Sequence, residues 1–238
     1  MQTLLIPFMG GFMLQKKNQF LLRISFILLI PLISLIHIAL NVYRPNTKNI
    51  ATVIDNAIPF VSAFVVPYIY WFAYVAIGLI FLAIFDYKKY YGLLASIVSG
   101  MFVCFAIFYF FPTTVERPDV IGGGFFNYAM RVIYSTDNPY NCFPSIHVLN
   151  ATLVTLFLFS KERSHNFNTW AIISCILINL STMFTKQHVF LDVVAGTILA
   201  VIMYMVWSNE KIWDSKWFTR IEETISVENS TNDNPNVS

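Results

Sequence analysis

Residues 91–111 of the chain read YGLLASIVSGMFVCFAIFYFF, a run of twenty-one residues without one charged side chain. About 20 consecutive apolar residues form a helix long enough to cross the hydrocarbon core of a bilayer. The composition of the 238-residue chain agrees, since 57% is hydrophobic and only 12% is charged, against about 25% charged in ordinary soluble domains. These values exclude a water-soluble globule and predict an all-α, polytopic membrane protein.

Further apolar runs lie on both sides of this one, and together they predict a bundle of six transmembrane helices. Pro59 and Pro67 indicate that the second span begins later than its apolar run. The fourth and fifth runs are shorter and carry polar residues. The six runs cover residues 20–40, 58–85, 91–111, 144–160, 169–185 and 189–207.

Lysine and arginine residues divide unevenly between the two sides of this bundle. Ten lie on the side of both termini and five on the opposite side, so the positive-inside rule places both termini in the cytoplasm. Since no long targeting segment precedes the first span, we expect a multi-pass protein of the plasma membrane. The five on the outer side are Arg44, Lys48, Arg117, Arg131 and Lys186.

The sequence divides into three regions. Residues 1–19 have no basic residue before their apolar stretch and no small-residue cleavage site, so we expect an interfacial lead-in and not a signal peptide. Residues 20–207 form the membrane domain. Residues 208–238 are polar and rich in asparagine and serine, which predicts a cytoplasmic tail that is partly disordered.

Polar side chains suited to chemistry concentrate at the outer ends of spans three to six. FPTTVERPD (111–119) follows span three, NCFPSIH (141–147) opens span four, and STMFTKQHVFLD (181–192) connects spans five and six. The topology is derived without reference to these residues, and it places all three segments on one face at one depth. The sequence therefore predicts a site at the outer face.

His188 and Asp192 are four residues apart and share one face of the sixth helix. The carboxylate can accept the proton of one ring nitrogen, which fixes the tautomer and leaves the other nitrogen free as a nucleophile. An isolated Asp in a span costs about 2.5–3.5 kcal/mol on insertion scales, so it needs a partner. The alternative interpretation is a buried His–Asp pair with a structural role.

His147 lies in the first turn of span four, whose start Pro144 marks. The free backbone N–H groups of a helix start suit a phosphate, and Ser145 adds a hydroxyl donor. A protonated His147 can donate to a leaving oxygen, which makes it a candidate general acid. Taken singly, such a histidine is more often an interfacial structural residue.

Arg117 and Lys186 are the candidate phosphate-binding cations of this face. The planar guanidinium of Arg117 matches two phosphate oxygens at once. Lys186 is two residues before His188 and carries a single ammonium charge. The alternative interpretation is that each side chain snorkels, with its charged end at the membrane–water interface.

The elements Arg-Pro at 117–118, Pro-Ser-x-His at 144–147 and Ser-x6-His-x3-Asp at 181–192 resemble the type 2 phosphatidic-acid phosphatase superfamily of lipid phosphatases and phosphotransferases. The resemblance covers residues 92–207 and implies metal-independent phosphoryl transfer through a phosphohistidine, with no cofactor. His188 would be the nucleophile and Asp192 its orienting carboxylate. His147 would act as acid and then base, while Arg117 and Ser145 would hold the phosphate.

Three positions depart from the pattern of that family. Phe110 and Thr182 stand where the family has a lysine and an arginine, and Ile146 stands where it has a glycine. Two phosphate-binding cations are therefore missing, and Lys186 is expected to compensate for one. The Ser-Thr-Met start at 181–183 is similar to the branch of fungal inositol phosphorylceramide synthase, so both hydrolysis and transfer stay open.

The leading hypothesis is hydrolysis of a lipid phosphomonoester or diphosphate. The second hypothesis is transfer of a phosphoryl-headgroup unit to an alcohol. The expected partners are the bilayer and a phosphorylated membrane lipid, and no motif indicates its headgroup or an oligomeric state. Phosphatidic acid, phosphatidylglycerol phosphate, polyprenyl diphosphates and sphingoid headgroups all fit. A net charge of +2 gives no basis for nucleic-acid binding.

Three other functions compete with this hypothesis. A transporter or flippase is less favoured because its polar residues would lie near the midplane rather than at one edge. A zinc site could form from Cys142, His147, His188 and Asp192, although Ser145 would then have no role. A non-catalytic scaffold predicts that replacing His188 by alanine affects stability alone.

Overall fold

The computed structural model describes residues 20–43 and 45–213. In this part the chain is a bundle of helices with one very short pair of strands, which confirms the prediction of an all-α membrane fold. Within these two ranges, five helices have the length and apolar composition to cross a membrane. The predicted lead-in and most of the predicted tail, residues 214–238, lie outside the described residues.

The predicted spans correspond to six helices of the structure. Helical residues 20–27 lead through a turn at Leu28 into α1, so the first span covers Phe20–Leu40. A 3-10 turn, Ser62–Phe64, opens the second span, and this late start agrees with the positions of the two prolines. The elements are α1 (Leu29–Leu40), β1 (Lys48–Asn49), α2 (Val53–Ala57), α3 (Val65–Phe85), α4 (Tyr87–Phe110), β2 (Thr113–Thr114), α5 (Phe125–Thr136), α6 (Ile146–Leu158), α7 (His165–Phe184) and α8 (Phe190–Trp207).

The fourth predicted span, α6, is a short central helix. It has 13 residues, fewer than the roughly 20 that a full crossing needs. Its start is set by Ser145, whose hydroxyl oxygen accepts a hydrogen bond from the Val148 backbone N–H at 3.3 Å. It packs against α3, α4, α7 and α8, and side chains such as Leu149 and Leu153 are fully buried. The first turn of α6, with His147, therefore faces the interior of the bundle.

The start of α6 and the first turns of α8 are in close contact. The Ser145 backbone N–H donates to the carbonyl oxygen of Asp192 at 3.2 Å. A Cβ atom on Gly196 would lie 2.8 Å from the carbonyl oxygen of Ser145, a distance that real Cβ atoms do not adopt. Glycine at 196 therefore lets the two helices that carry the candidate residues approach each other.

The outer connections are more ordered than hydropathy predicts. β1 pairs in parallel with β2 through Lys48 and Thr113, which ties the first outer connection to the second. The second connection also contains α5, which buries Met130 and exposes Phe125. Because α5 has only 12 residues and carries Asn127, Arg131 and Ser135 among its apolar residues, its sequence does not indicate a membrane span.

The beginning of the tail packs against α4. The indole nitrogen of Trp213 donates to the carbonyl oxygen of Trp207 at 3.2 Å. The Trp213 ring also stacks on Tyr91, with 6.0 Å between ring centroids. The polar tail therefore starts as an ordered turn on the end of α4 opposite the candidate site.

Candidate active site

The turn between α7 and α8 carries His188 into the outer end of the bundle. The turn is tight because the backbone N–H groups of Gln187 and His188 both donate to the carbonyl oxygen of Thr182, each at 3.0 Å. Val189, the next residue, is the N-cap of α8. The side chain of His188 is only 10% exposed, so its neighbours in the bundle determine its chemistry.

The proton on the His188 ring can be assigned from its contacts. Nδ1 lies 3.2 Å from Oδ2 of Asp192 and 3.0 Å from the carbonyl oxygen of Cys142. Both neighbours are acceptors, so Nδ1 carries the proton and Nε2 keeps its lone pair. The structure thus brings His188 and Asp192 together as their spacing predicts, and it adds a second acceptor that the sequence did not reveal.

Asp192 is fully buried and is held by the start of its own helix. Its Oδ2 accepts the Val189 backbone N–H at 3.0 Å as well as the contact from His188. A carboxylate in the first turn of a helix is also favoured by the helix dipole. Its position relative to the imidazole is therefore fixed before any substrate arrives.

His147 faces His188 across the outer end of the bundle. The two imidazole centroids are 5.7 Å apart and the rings are inclined by 60°. On its other sides the His147 ring packs against Tyr68, at 4.7 Å, and Trp71, at 4.4 Å. Two imidazoles at this separation can contact opposite sides of one small tetrahedral group.

Arg117 lies beside this pair and is oriented by four groups. One terminal guanidinium nitrogen donates to the carbonyl oxygen of Asp137 at 2.6 Å, and the other donates to the side-chain oxygen of Gln187 and to the carbonyl oxygen of Asn138 at 3.4 Å. The guanidinium also lies over the ring of Tyr134, 4.7 Å from its centroid. A cation that is held in this way presents its remaining donors in a fixed direction.

Unlike Arg117, the other two candidate phosphate-binding residues, Ser145 and Lys186, have contacts in the structure that already explain their presence. Ser145 is fully buried, and its hydroxyl serves as the N-cap of α6. The Nζ atom of Lys186 donates to the carbonyl oxygens of Asp55 at 2.9 Å and Ile58 at 2.5 Å. Their assignment to phosphate binding stays a prediction, and the structure supplies a local structural role for each.

Two cavities meet at His188 and Arg117. Cavity A has a volume of about 330 Å³ and also contains His147; its apolar wall comes from Ile69, Phe72, Met101 and Phe108. Cavity B has a volume of about 470 Å³ and lies on the side of the first outer connection and Lys186. The candidate nucleophile therefore separates an apolar space among the helices from a second space beneath the outer connections.

Cavity A contains polar residues that the sequence analysis missed. Asp137 accepts a hydrogen bond from the Asn41 amide at 2.6 Å, and Nε2 of His37 lies 3.8 Å from its carboxylate. Burial alone would raise the pKa of Asp137, but His37, His147 and Arg117 together hold that pKa below its usual value. No spacing links residues 37 and 137, so only the folded chain reveals this pair.

Cys142, His188 and Asp192 form a group whose potential ligand atoms lie within 4.8 Å of one another. His147, the fourth residue of the zinc hypothesis, is not part of that group. Burial raises the pKa of the Cys142 thiol well above its ordinary value, although a bound metal ion would itself favour the thiolate. The geometry therefore offers three potential ligand atoms, without the fourth residue of the zinc hypothesis.

The two positions that depart from the cation pattern supply no charge to the site. Phe110 is 82% exposed at the end of α4. Thr182 is fully buried, and its hydroxyl donates to the carbonyl oxygen of Asn179 at 2.8 Å. Among the described residues, Arg117 is the one lysine or arginine that lines cavity A.

Comparison with known proteins gives two matches. A family model described as the PAP2 superfamily matches residues 47–206, which is most of the chain. Among solved structures, LpxE from Aquifex aeolicus matches with 18% sequence identity and a TM-score of 0.43, over 75% of this chain and 93% of that chain. No curated protein sequence matches the chain.

Proposed function

Because the chain belongs to the PAP2 superfamily, the type 2 phosphatidic-acid phosphatases, it is a membrane lipid phosphatase, and we propose that it acts through a phosphohistidine formed on His188. The observation that carries this mechanism is the pair of acceptors around Nδ1 of His188, at 3.0 and 3.2 Å. They leave the lone pair of Nε2 free to attack phosphorus. The centroid of the second imidazole, that of His147, lies 5.7 Å from the centroid of His188.

In the first step, Nε2 of His188 attacks phosphorus and the bond from phosphorus to the lipid oxygen breaks. His147, in its protonated form, gives its proton to that leaving oxygen. The buried carboxylate of Asp192 stabilises the positive charge that develops on the attacking ring. Arg117 faces the phosphate oxygens with the donors that its other contacts leave unused.

In the second step, the now neutral His147 takes a proton from a water molecule, and the water oxygen attacks the phosphorus of the phosphohistidine. The bond from phosphorus to nitrogen breaks and His188 is regenerated. The products are a lipid alcohol and inorganic phosphate when the substrate is a phosphomonoester. No step requires a metal ion, which agrees with the mechanism that the family resemblance implies.

The lipid part of the substrate is assigned to cavity A. Its wall contains Ile69, Phe72 and Phe108, which suit acyl chains, and it reaches His147, where the leaving oxygen must lie. With both termini in the cytoplasm, as the lysine and arginine distribution predicts, this site opens on the outer side of a plasma membrane. Neither cavity extends to the cytoplasmic ends of the helices, a placement that favours an enzyme over a transporter.

A phosphotransferase is the second candidate. The space around His147 is walled by Tyr68 and Trp71 and is continuous with an apolar cavity. A membrane alcohol can therefore take the place of water in the second step. Release of phosphate without an added alcohol supports hydrolysis, and product formation only with an alcohol supports transfer.

The test of the mechanism is a trapped intermediate. Purified protein in detergent, treated with ³²P-labelled phosphatidic acid, is expected to carry an acid-labile and base-stable label, as a phosphoramidate does. H188A is expected to lose both label and turnover, whereas H165A, which removes an exposed histidine at the far end of α7, keeps both. An acid-stable label, or turnover in H188A, would reject a phosphohistidine.

A further inference from the structure

The phosphate site of this chain has fewer cations than the family pattern. Phe110 and Thr182 stand where that pattern has a lysine and an arginine, and the ammonium group of Lys186 donates to two backbone carbonyl oxygens. In phosphoryl transfer the negative charge spreads over three equatorial oxygens, whereas the fork of one guanidinium contacts two oxygens at once. Arg117 therefore leaves at least one phosphate oxygen for another donor.

Cavity A contains buried polar atoms whose hydrogen-bonding capacity is unused. Among the described residues, five of the side chains that line it have such an atom without a partner. A buried polar atom of this kind is costly, and it points to a ligand, an ion or a water molecule beside it. The five atoms are Nδ1 of His37, Nε1 of Trp71, Nε of Arg117, Oδ1 of Asn141 and Nε2 of Gln187.

Three of these atoms can bind a phosphate oxygen, because an ionised phosphate accepts hydrogen bonds and does not donate them. The side-chain oxygen of Asn141 is an acceptor, and a ring nitrogen of His37 can be either a donor or an acceptor. The side-chain nitrogens of Trp71, Arg117 and Gln187 carry hydrogen and can only donate. Cavity A thus has three unused donors in its wall.

Two of these donors belong to residues that contact each other beside the nucleophile. Gln187 directly precedes His188 in the turn between α7 and α8, and its side-chain oxygen accepts a hydrogen bond from Arg117. Gln187 is only 2% exposed, so its amide belongs to the interior of the site. Trp71 instead packs its ring against His147, on the side of the leaving oxygen.

The contact with Arg117 also decides which way the Gln187 amide is turned. A guanidinium group has donors only, so the amide oxygen must face it and the amide nitrogen must point elsewhere. Rotation of the amide by half a turn would bring N–H groups against N–H groups. The amide nitrogen is therefore held as a donor in the wall of cavity A.

We propose that Gln187 is a catalytic residue whose side-chain N–H donates to a phosphate oxygen that Arg117 does not contact. This inference rests on the proposed function, because the phosphoryl group that it binds is the one transferred to His188. The amide takes the place of a missing cation, and it keeps its proton through both steps. A donor that is fixed before the substrate arrives stabilises the transition state without reorganisation.

Two substitutions separate this role from a purely positional one, in which Gln187 only orients Arg117. Q187M removes both the amide oxygen and the amide donor. Q187E keeps an oxygen for the guanidinium and replaces the donor by a second acceptor. Donation to the phosphate predicts that Q187E is the less active variant, since its negative charge also repels the phosphate. A positional role predicts the reverse order, because the carboxylate still contacts the guanidinium.

The experiment measures kcat and KM for phosphatidic acid on the full-length protein in detergent, together with the phosphohistidine label and thermal unfolding. We expect kcat/KM to fall about 10- to 100-fold in Q187M, the effect of losing a hydrogen bond to a charged group. We expect it to fall roughly tenfold further in Q187E, where like charges meet. N46M removes an exposed amide that lines neither cavity, so this matched control should be unchanged.

Inhibition by vanadate, an analogue of the transferring phosphoryl group, gives a second readout. Its inhibition constant should rise in Q187M in step with the fall in kcat/KM. A Q187E more active than Q187M, or rates and inhibition constants of both variants close to those of the wild type, would overturn this inference and leave the proposed function standing.

Because glutamate has the shape of glutamine, Q187E decides alone if Q187M fails to fold. A strong loss of kcat/KM at an unchanged melting temperature then supports donation to the phosphate, and wild-type activity overturns it. Neither phosphate release nor a phosphohistidine label in the wild type would reject the proposed function itself.

Discussion

Replacing Asp192 by asparagine tests whether the carboxylate acts through its charge or through the tautomer of His188. The tautomer does not depend on Asp192 alone, because the carbonyl oxygen of Cys142 accepts from Nδ1 at 3.0 Å. In D192N the amide oxygen can still accept from the Val189 backbone N–H, a bond of 3.0 Å in the native protein. The substitution is therefore expected to leave the fold and the ring orientation in place and to remove the negative charge.

The size of the effect follows from the distance between the two groups. Two unit charges 3.2 Å apart interact by about 5 kcal/mol at an effective dielectric constant of ~20, which is an upper limit. Exchanging a charged hydrogen bond for a neutral one costs about 1–1.5 kcal/mol, which is a lower limit. Since about 1.4 kcal/mol corresponds to a tenfold change in rate, D192N should lower kcat by roughly 10²- to 10³-fold.

The assay is the release of phosphate from phosphatidic acid, with thermal unfolding measured on the same preparations. D192N should unfold within a few degrees of the wild type and remain more active than H188A. D119N, which removes an exposed carboxylate outside both cavities, is the control and should be unchanged. A rate within threefold of the wild type, or a loss as complete as in H188A, would refute the reasoning.

Three further substitutions or conditions test other parts of the site. R117K keeps the charge but loses the planar fork that contacts Asp137 and Gln187, so kcat/KM should fall about 10- to 100-fold; an unchanged value would show that Arg117 acts as a point charge. G196A inserts a methyl group 2.8 Å from a backbone carbonyl oxygen and should lower the free energy of unfolding by about 1–3 kcal/mol together with kcat; full stability with full activity would contradict the tight contact of α6 and α8. The pKa of Asp137 is lower in the folded protein than in the unfolded chain. The carboxylate therefore stabilises the fold above the unfolded pKa of about 3.9, and this stabilisation is lost as the pH falls through the folded pKa. D137N should reduce the loss of melting temperature at acid pH, and an unchanged loss would argue against the contribution of Asp137.

Hydropathy and motif spacing predict the membrane-spanning helices and the His188–Asp192 pair because both signals come from residues that are close together in the sequence. The first span is predicted as 20–40 and found as Phe20–Leu40, and the last is predicted as 189–207 and found as Phe190–Trp207. The pairing of His188 with Asp192 follows from the i,i+4 spacing. The approach of His147 to that pair follows from a topology that puts both helix starts on one face.

The groups that orient the site could not be predicted, because they come from distant parts of the chain or from the backbone. The carbonyl oxygen of Cys142 carries no sequence signal, since every residue has one. The contact of Gln187 with Arg117 joins two outer segments whose relative position is set by tertiary packing. The charge of Lys186 predicts phosphate binding, whereas in the structure two carbonyl oxygens of the first outer connection hold its ammonium group.

The first outer connection explains how a short turn can hold a nucleophile in place. The carboxylate of Asp55 accepts the Phe190 backbone N–H at 2.7 Å, so it satisfies the first residue of α8, and its other oxygen accepts from Thr52. The backbone N–H of Val61 donates to the carbonyl oxygen of Phe184 at 2.9 Å, at the end of α7. A backbone N–H at the start of α8 and a carbonyl oxygen at the end of α7, groups that helix ends leave unpaired, are thus satisfied by a segment more than a hundred residues earlier in the chain. Because the same segment forms one wall of cavity B, a change there alters the position of His188 and the shape of the cavity together.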